Sequence, residues 1–271
     1  MKTARISDLL EPFLERPLAQ FQLEQISTYI DLLLRWNARI NLTAIRSEDE
    51  IVTRHFGESL FMARHLFPSA PSADRSASPS ADPSARRIST PTTEPAPQQN
   101  LEICHPERSQ AKSEAIGPAQ SKDPYLPTAP SSPHPQVVDI GSGAGFPALP
   151  LKLWSPHIHL TMIESNHKKA TFLREVTRTL TLTNIDIITG RAETAAQSLN
   201  GSAEVVTLRA VERFEAILLT AAEFLAPGAT LALLIGVSQL SHLTTLSGFK
   251  CCDPIPVPLS ESRVLAIRVR T

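Results

Sequence analysis

VVDIGSGAGFP, residues 137–147, runs a short apolar stretch into a glycine-rich turn. Val137, Val138 and Ile140 fit a buried strand, and helical spacing follows to Trp154. Gly141, Gly143 and Gly145 let the backbone turn sharply and approach a ligand without Cβ clashes. Such a loop serves dinucleotide and nucleoside cofactors alike, so the neighbouring residues decide between them. The spacing is G-x-G-x-G, with Phe146 where the dinucleotide fingerprint has its last glycine. Asp139 stands two positions before the first glycine, where it would repel a pyrophosphate but could help hold a cationic amino-acid group, directly or through water. Glu164 ends the next strand, where a carboxylate can accept both ribose hydroxyls. A ribose and a charged amino acid without phosphates describe S-adenosylmethionine. Phe146 and Asp139 argue against the alternative, an NAD-binding oxidoreductase.

Outward from the loop the pattern alternates. Leu160–Glu164, Ile185–Ile188, Val205–Leu208 and Thr230–Ile235 read as strands, with a helix over 167–180 and another that follows the fourth strand and runs through Leu225. This predicts an α/β fold with a mostly parallel sheet and helices on both faces. Ser262–Val269 reads as a last strand, reversed at the edge. Upstream, Leu23, Ile26, Ile30, Leu33 and Leu34 predict an amphipathic helix over 21–36. Ser47 to Glu50 reads as a capping box, with Ser47 capping and Glu50 reaching back. A second helix then carries Ile51, Val52, His55, Phe56, Ser59 and Leu60 on one face and ends near Phe67–Pro68. Between the two helices lies WNARINLT, residues 36–43, too polar and too specific in type for routine filler.

Residues 69–134 break the pattern. Pro, Ser and Ala supply 34 of these 66 residues, so the segment cannot bury enough apolar surface to offset its ordering entropy. The expected organisation is a small helical N-terminal part at 1–68, a low-complexity disordered insertion at 69–134, and a sheet domain at 135–271. The whole chain has 26 basic and 27 acidic residues, so no global basic field advertises nucleic acid, and any RNA contact must be a local patch. Three cysteines, two of them adjacent, make no disulfide framework, and no C-x-x-C suggests a metal. No apolar run is long enough for a membrane span, and the N-terminus carries charges where a signal peptide needs its apolar stretch, so a cytoplasmic location is the expectation.

Ligands of doubly wound sheets bind at the carboxyl ends of the strands. That places Ala192 and Glu193, after the third strand, beside the adenine, though Glu193 also suits the first turn of a helix for the dipole alone. Arg209 ends the fourth strand, and burial there demands a partner. Candidate phosphate contacts are Arg39, Arg46 and Arg54 in the helical part and Lys168, Lys169, Arg174 and Arg178 on one helix; a merely solvated face is the bland reading of that helix. His55, near an apolar helix face, reads as a core or interface histidine rather than a catalytic one.

These motifs resemble the bacterial small-subunit rRNA guanine-N7 methyltransferases, the methyltransferase G or glucose-inhibited division protein B family. The resemblance is carried by WNARINLTAIRSEDEIVTRHFGESL at 36–60, VVDIGSGAGFPALPL at 137–151 and IESNHKKATFLREV at 163–176, and is extended by NIDIITGRAE at 184–193 and LRAV at 208–211. It implies a Rossmann-like class I methyltransferase domain, S-adenosylmethionine as cofactor, and methylation of N7 of guanosine 527 in 16S rRNA. It carries cofactor contacts onto Gly141, Phe146, Ala192, Glu193 and Arg209, and places Glu164 on the ribose-binding acidic position; Gly143 belongs to the same loop. Arg39, Arg54, Lys168 and Lys169 are the expected RNA contacts, and no catalytic acid or base and no metal is expected. The expected partner is 16S rRNA within a small ribosomal subunit or its assembly intermediate, met by a monomer. Three residues depart from the family pattern: Ala148 after Pro147, Leu208 before the Arg-Ala-Val run, and Ile235 where a lysine usually precedes the glycine that ends strand five. A methyltransferase of another substrate is the alternative on the same scaffold.

Overall fold

The computed structural model describes residues 1–68, 132–210 and 213–271. The insertion reading of 69–134 falls, but for its last three residues, outside them. The helical part comprises α1 (Thr3–Leu10), a 3₁₀ turn at Glu11–Phe13, α2 (Gln20–Ile40) and α3 (Glu48–Glu50), then a π-helical stretch at Ile51–Gly57 that runs into α4 (Glu58–Leu66). The sheet part follows as β1 (Gln136–Ile140), α5 (Ala148–Trp154), β2 (His159–Glu164), α6 (His167–Thr179), β3 (Ile185–Thr189), α7 (Ala192–Leu199), β4 (Ala203–Arg209), α8 (Phe214–Phe224) and β5 (Leu225–Gly236). A 3₁₀ segment at Val237–Thr245 leads to β6 (Phe249–Cys251), β7 (Ile255–Pro256) and β8 (Arg263–Arg270).

The sheet order is β3-β2-β1-β4-β5-β8-β6, with β7 also on β8. The first five strands are parallel, as the alternation predicts, and β8 runs antiparallel to β5. One expectation is corrected here: β8 is reversed but is not the edge, because β6 and β7 pair along its other side. Those two strands are three and two residues long, too short to show a period.

Adjacent strand residues point to opposite faces. Val137, Leu160, Met162 and Val205 join the helices α1, α2, α4, α5 and α6 on one side, while Val138, Ile140, Ile163 and Val206 join α7 and α8 on the other. Both faces are covered, which is why the strands read as unbroken apolar runs rather than alternating ones. The helical part therefore shares a core with the sheet: Tyr29, Ile30 and Phe56 belong to the same cluster as Phe146, Leu149 and Phe172. Gly145 records how close that packing is. A Cβ there would lie 2.3 Å from Tyr29 Oη and 2.7 Å from Leu149 Cδ1, on a backbone with φ of +87°.

The WNARINLT segment is a helix stop. Asn41 takes the left-handed C-cap of α2 at φ 49°, a conformation asparagine tolerates better than most residues. Buried Asn37 clamps the returning chain, donating from Nδ2 to the Thr43 carbonyl and accepting from the Thr43 amide, both at 3.0 Å. At the next helix start Ser47 Oγ accepts the Glu50 amide at 3.5 Å, so the forward half of the expected cap is present. The return bond from the Glu50 side chain is not formed. The single run of helical periodicity that follows hides the π-helical stretch at Ile51–Gly57.

Candidate active site

Strand order reverses between β1 and β4, and the loop after β1 opens at that point, where ligands of such sheets bind. A cleft of about 840 Å³ lies there. Gly141, Gly143, Phe146 and Glu164 line it, as do Ala192, Glu193 and Arg209. All seven residues named from the sequence as cofactor contacts thus face one cavity.

Glu164 is the centre of its floor. The carboxylate is buried, with Oε2 accepting the Gly143 amide at 2.8 Å and Oε1 accepting the Asn166 amide at 2.7 Å. One side chain thereby ties the glycine loop to the start of α6, where Asn166 caps the Lys168 and Lys169 amides. Each oxygen keeps a lone pair for a ligand hydroxyl. Gly141 and Gly143 hold φ of +70° and +56°, so the loop presents backbone rather than side chain to the cleft.

Asp139 sits behind the loop, fully buried. Its Oδ1 accepts from Thr207 Oγ1 at 2.6 Å, and its Oδ2 has no hydrogen-bond partner among the described residues. Burial, opposed by hydrogen bonds from Ser142 and Thr207, raises its pKa from the ordinary 3.8 to about 6. A buried carboxylate with an open oxygen is expensive unless a ligand completes it. Because the folded pKa is the higher one, this group's contribution to stability is full below about pH 4 and is lost as pH rises through about 6. Asp139→Asn should therefore be more stable than wild type at pH 8, by about 2 kcal/mol, with the two converging at pH 4. It should also bind the cofactor more weakly. Thermal unfolding at both pH values checks this, and equal midpoints at pH 8 would contradict it.

Arg209 reaches the cleft wall, but its guanidinium turns into the helical part. Nη2 pairs with Glu58 Oε2 at 2.9 Å and also donates to the Arg54 carbonyl; Nη1 donates to the His55 carbonyl and Ser59 Oγ, both at 3.4 Å. Both carbonyls belong to the π-helical stretch. Burial lowers the pKa of Arg209 to about 10 while Glu58 raises it, so it stays charged at neutral pH. The partner that its burial demands is a carboxylate 151 residues away.

Three cleft residues come from the helical part and were missed as site residues by the sequence: Leu42, Thr43 and His55. For Leu42 and Thr43 the signal was the specificity of the segment that ends α2; His55 lies in the π-helical stretch. The His55 ring stacks on Phe146 with centroids 4.7 Å apart and shares a 2.7 Å hydrogen bond with Thr43 Oγ1. Burial, and then Arg209, Arg54 and Arg263, push its pKa down to about 3, so it is neutral at any working pH. Arg213, exposed in the cleft lining, was also missed, while Arg191 belongs to the loop after β3 that the sequence already places at the ligand. Of the expected RNA contacts, Lys169 lines the cleft, while Arg39, Arg54 and Lys168 are exposed outside it. Arg174, on the same helix, is tied to Thr189 Oγ1 at 2.8 Å. Ile235 is buried among Leu208 and Leu243, so the site gains no cation there. Among the described residues no group of three or more His, Cys, Asp or Glu could hold a metal, and no helix is long and apolar enough to cross a membrane.

The family profile described as rRNA small subunit methyltransferase G matches residues 22–73 and 125–248. A ribosomal RNA small subunit methyltransferase G from Chloroflexus aggregans is 30% identical over 93% of this chain and 83% of its own length. One of the same name from Bacillus subtilis is 28% identical over 72% of this chain. The match covers 56% of that protein, and the chain spans little more than half the length of the other relatives similar to it. Among solved structures, a SAM dependent methyltransferase from Aquifex aeolicus aligns with a TM-score of 0.44 at 14% identity, over 52% of this chain and 85% of that one.

Proposed function

This chain belongs to the rRNA small subunit methyltransferase G family, and from that premise we propose that it transfers the methyl group of S-adenosylmethionine to N7 of a guanosine, position 527, in 16S rRNA. The observation that carries the cofactor assignment is the Glu164 carboxylate, fixed between the Gly143 and Asn166 amides on the floor of the cleft. The residues present suit the cofactor. Glu164 can take the ribose hydroxyls and the glycine loop leaves room for the amino-acid end, while Asp139, buried behind that loop, is not among the residues lining the cleft. Ala192 and Glu193 stand at the start of α7, where an adenine edge would lie.

S-adenosylmethionine supplies an electrophilic methyl on a good leaving group. Guanine N7 already carries a free lone pair, so the residues of this chain need not remove a proton. Their task is placement, which can supply several kcal/mol of the barrier. The neutral His55 and the fully engaged Arg209 fit that division: neither is poised as an acid or a base. Arg209 holds β4 and the helical part together at the cleft wall. Phe146, stacked between Tyr29 and His55, gives the cleft an aromatic side.

The deep, narrow major groove of paired RNA hides N7, so the target nucleotide is unpaired or splayed out when it enters. Lys169, Arg191 and Arg213 ring the entrance. With a net charge of only −1 the protein has no general field for RNA, which favours a preassembled small-subunit surface over naked RNA as substrate. A cytoplasmic monomer completes this reading. Calorimetric titration tests the cofactor: saturable binding of S-adenosylmethionine without binding of NAD is expected. The reverse would return the site to the oxidoreductase alternative.

A further inference from the structure

Beside the cleft, on the far side of the Arg209–Glu58 pair, lies a second groove of about 590 Å³. Arg54, Glu58, Gly236, Gln239, Leu259 and Arg263 line it. Arg263 is the first residue of β8 and sits opposite Gly236, the last residue of β5. Its Nε lies 3.1 Å from Glu58 Oε2, the same oxygen that meets Arg209 at 2.9 Å. One buried carboxylate oxygen thus serves two guanidinium groups, with Arg54 as a third nearby. Glu261, at the rim, is exposed and screened by water. Among the described residues the terminal nitrogens of Arg54 and Arg263 make no hydrogen bond. His55, on the same π-helical stretch as Arg54, is neutral. With Arg209 behind Glu58, the guanidiniums of Arg54, Arg209 and Arg263 face the carboxylates of Glu58 and Glu261, which leaves one net positive charge.

We propose that Arg263 and Arg54 form an anchor for a backbone phosphate of the RNA, next to the nucleotide that enters the cleft. A planar guanidinium fork matches a phosphodiester in a way that a single ammonium does not. Glu58 faces Arg263 on its Nε side as an ion pair without a hydrogen bond, which leaves Nη1 and Nη2 to the ligand. Arg209 joins the two sites: its backbone closes the cleft and its side chain fixes the carboxylate that orients Arg263. This assignment rests on the RNA methyltransferase reading.

The test measures binding of a labelled single-stranded RNA to the full chain by fluorescence anisotropy across a range of salt. Arg263→Gln and Arg54→Gln are each expected to weaken binding about fivefold at 0.1 M salt and to flatten the salt slope by about 0.7, the value for one phosphate contact on a single strand. Arg263→Lys, which keeps the charge but not the fork, should restore the salt slope and part of the affinity, and S-adenosylmethionine binding should stay at the wild-type value in all three. Unchanged RNA affinity and slope in both glutamine variants would overturn the proposal. So would a loss in Arg263→Gln that Arg263→Lys does not restore and that comes with equal loss of cofactor binding, since that marks a structural role. Methyl transfer by the wild type separates the two claims. Transfer to RNA with both variants binding normally sinks the anchor alone, whereas the predicted RNA losses without any transfer sink the methyltransferase reading alone.

Discussion

Glu164→Ala is expected to weaken S-adenosylmethionine binding by about a hundredfold. The carboxylate makes two charge-assisted bonds to backbone amides on the cleft floor, and the proposed function gives it two more to a ribose. Hydrogen bonds to charged groups contribute about 1.5–3 kcal/mol each, and an amide left without its acceptor adds its own desolvation penalty. Losing the ribose contacts alone accounts for roughly 3 kcal/mol, a factor of about a hundred. The loop also loosens, because the tie between Gly143 and Asn166 goes with the side chain. Glu164→Gln keeps one acceptor oxygen and should fall between the two. Calorimetric titration reads the result, and a dissociation constant within twofold of wild type would remove Glu164 from the site.

Glu58→Gln is expected to lower the stability of the fold by about 3–5 kcal/mol. Glu58 is buried, as is the side chain of Arg209, which it neutralises, while Arg263 is partly open to solvent. Removing one partner of a buried ion pair is that costly because the remaining charge is left without compensation in a poor solvent. The open face of Arg263 moderates its share. For a folded part of this size the loss corresponds to a fall in thermal midpoint of about 10 °C. The glutamine is isosteric, so the effect is one of charge rather than volume. It should also reduce cofactor affinity, since the pair fixes the end of β4 against the helical part. A loss below about 1 kcal/mol would mean that water, rather than Glu58, stabilises the two arginines.

The sheet was legible in the sequence because its strands are buried on both faces. Val137–Ile140 and Leu160–Glu164 are then continuous apolar runs, each followed by a turn or cap and a helix. The cleft residues were legible for a related reason: the glycine loop, Glu164, and Ala192 with Glu193 all stand at carboxyl ends of consecutive strands, which the topology must bring together. What stayed hidden depends on contacts between distant segments. Nothing near Arg209 names Glu58, and nothing near Glu58 announces a π-helical stretch that turns the Arg54 and His55 carbonyls toward an arginine. Leu42, Thr43 and His55 enter the cleft because α2 and α4 pack on the sheet, a fact of tertiary structure that helical periodicity does not contain. The helix α1 was missed although Ile6 and Leu10 bury fully, since it is short and its apolar positions stand among polar and charged neighbours. Position 263 had no signal at all: an arginine beginning a strand becomes informative only when Gly236 and Glu58 are seen beside it.

The most direct test is methyl transfer from labelled S-adenosylmethionine to small ribosomal subunits that lack the modification, followed by identification of the labelled nucleoside. The account predicts label in 16S rRNA, recovered as 7-methylguanosine. Label in any other nucleoside, or none despite measurable cofactor binding, would contradict it.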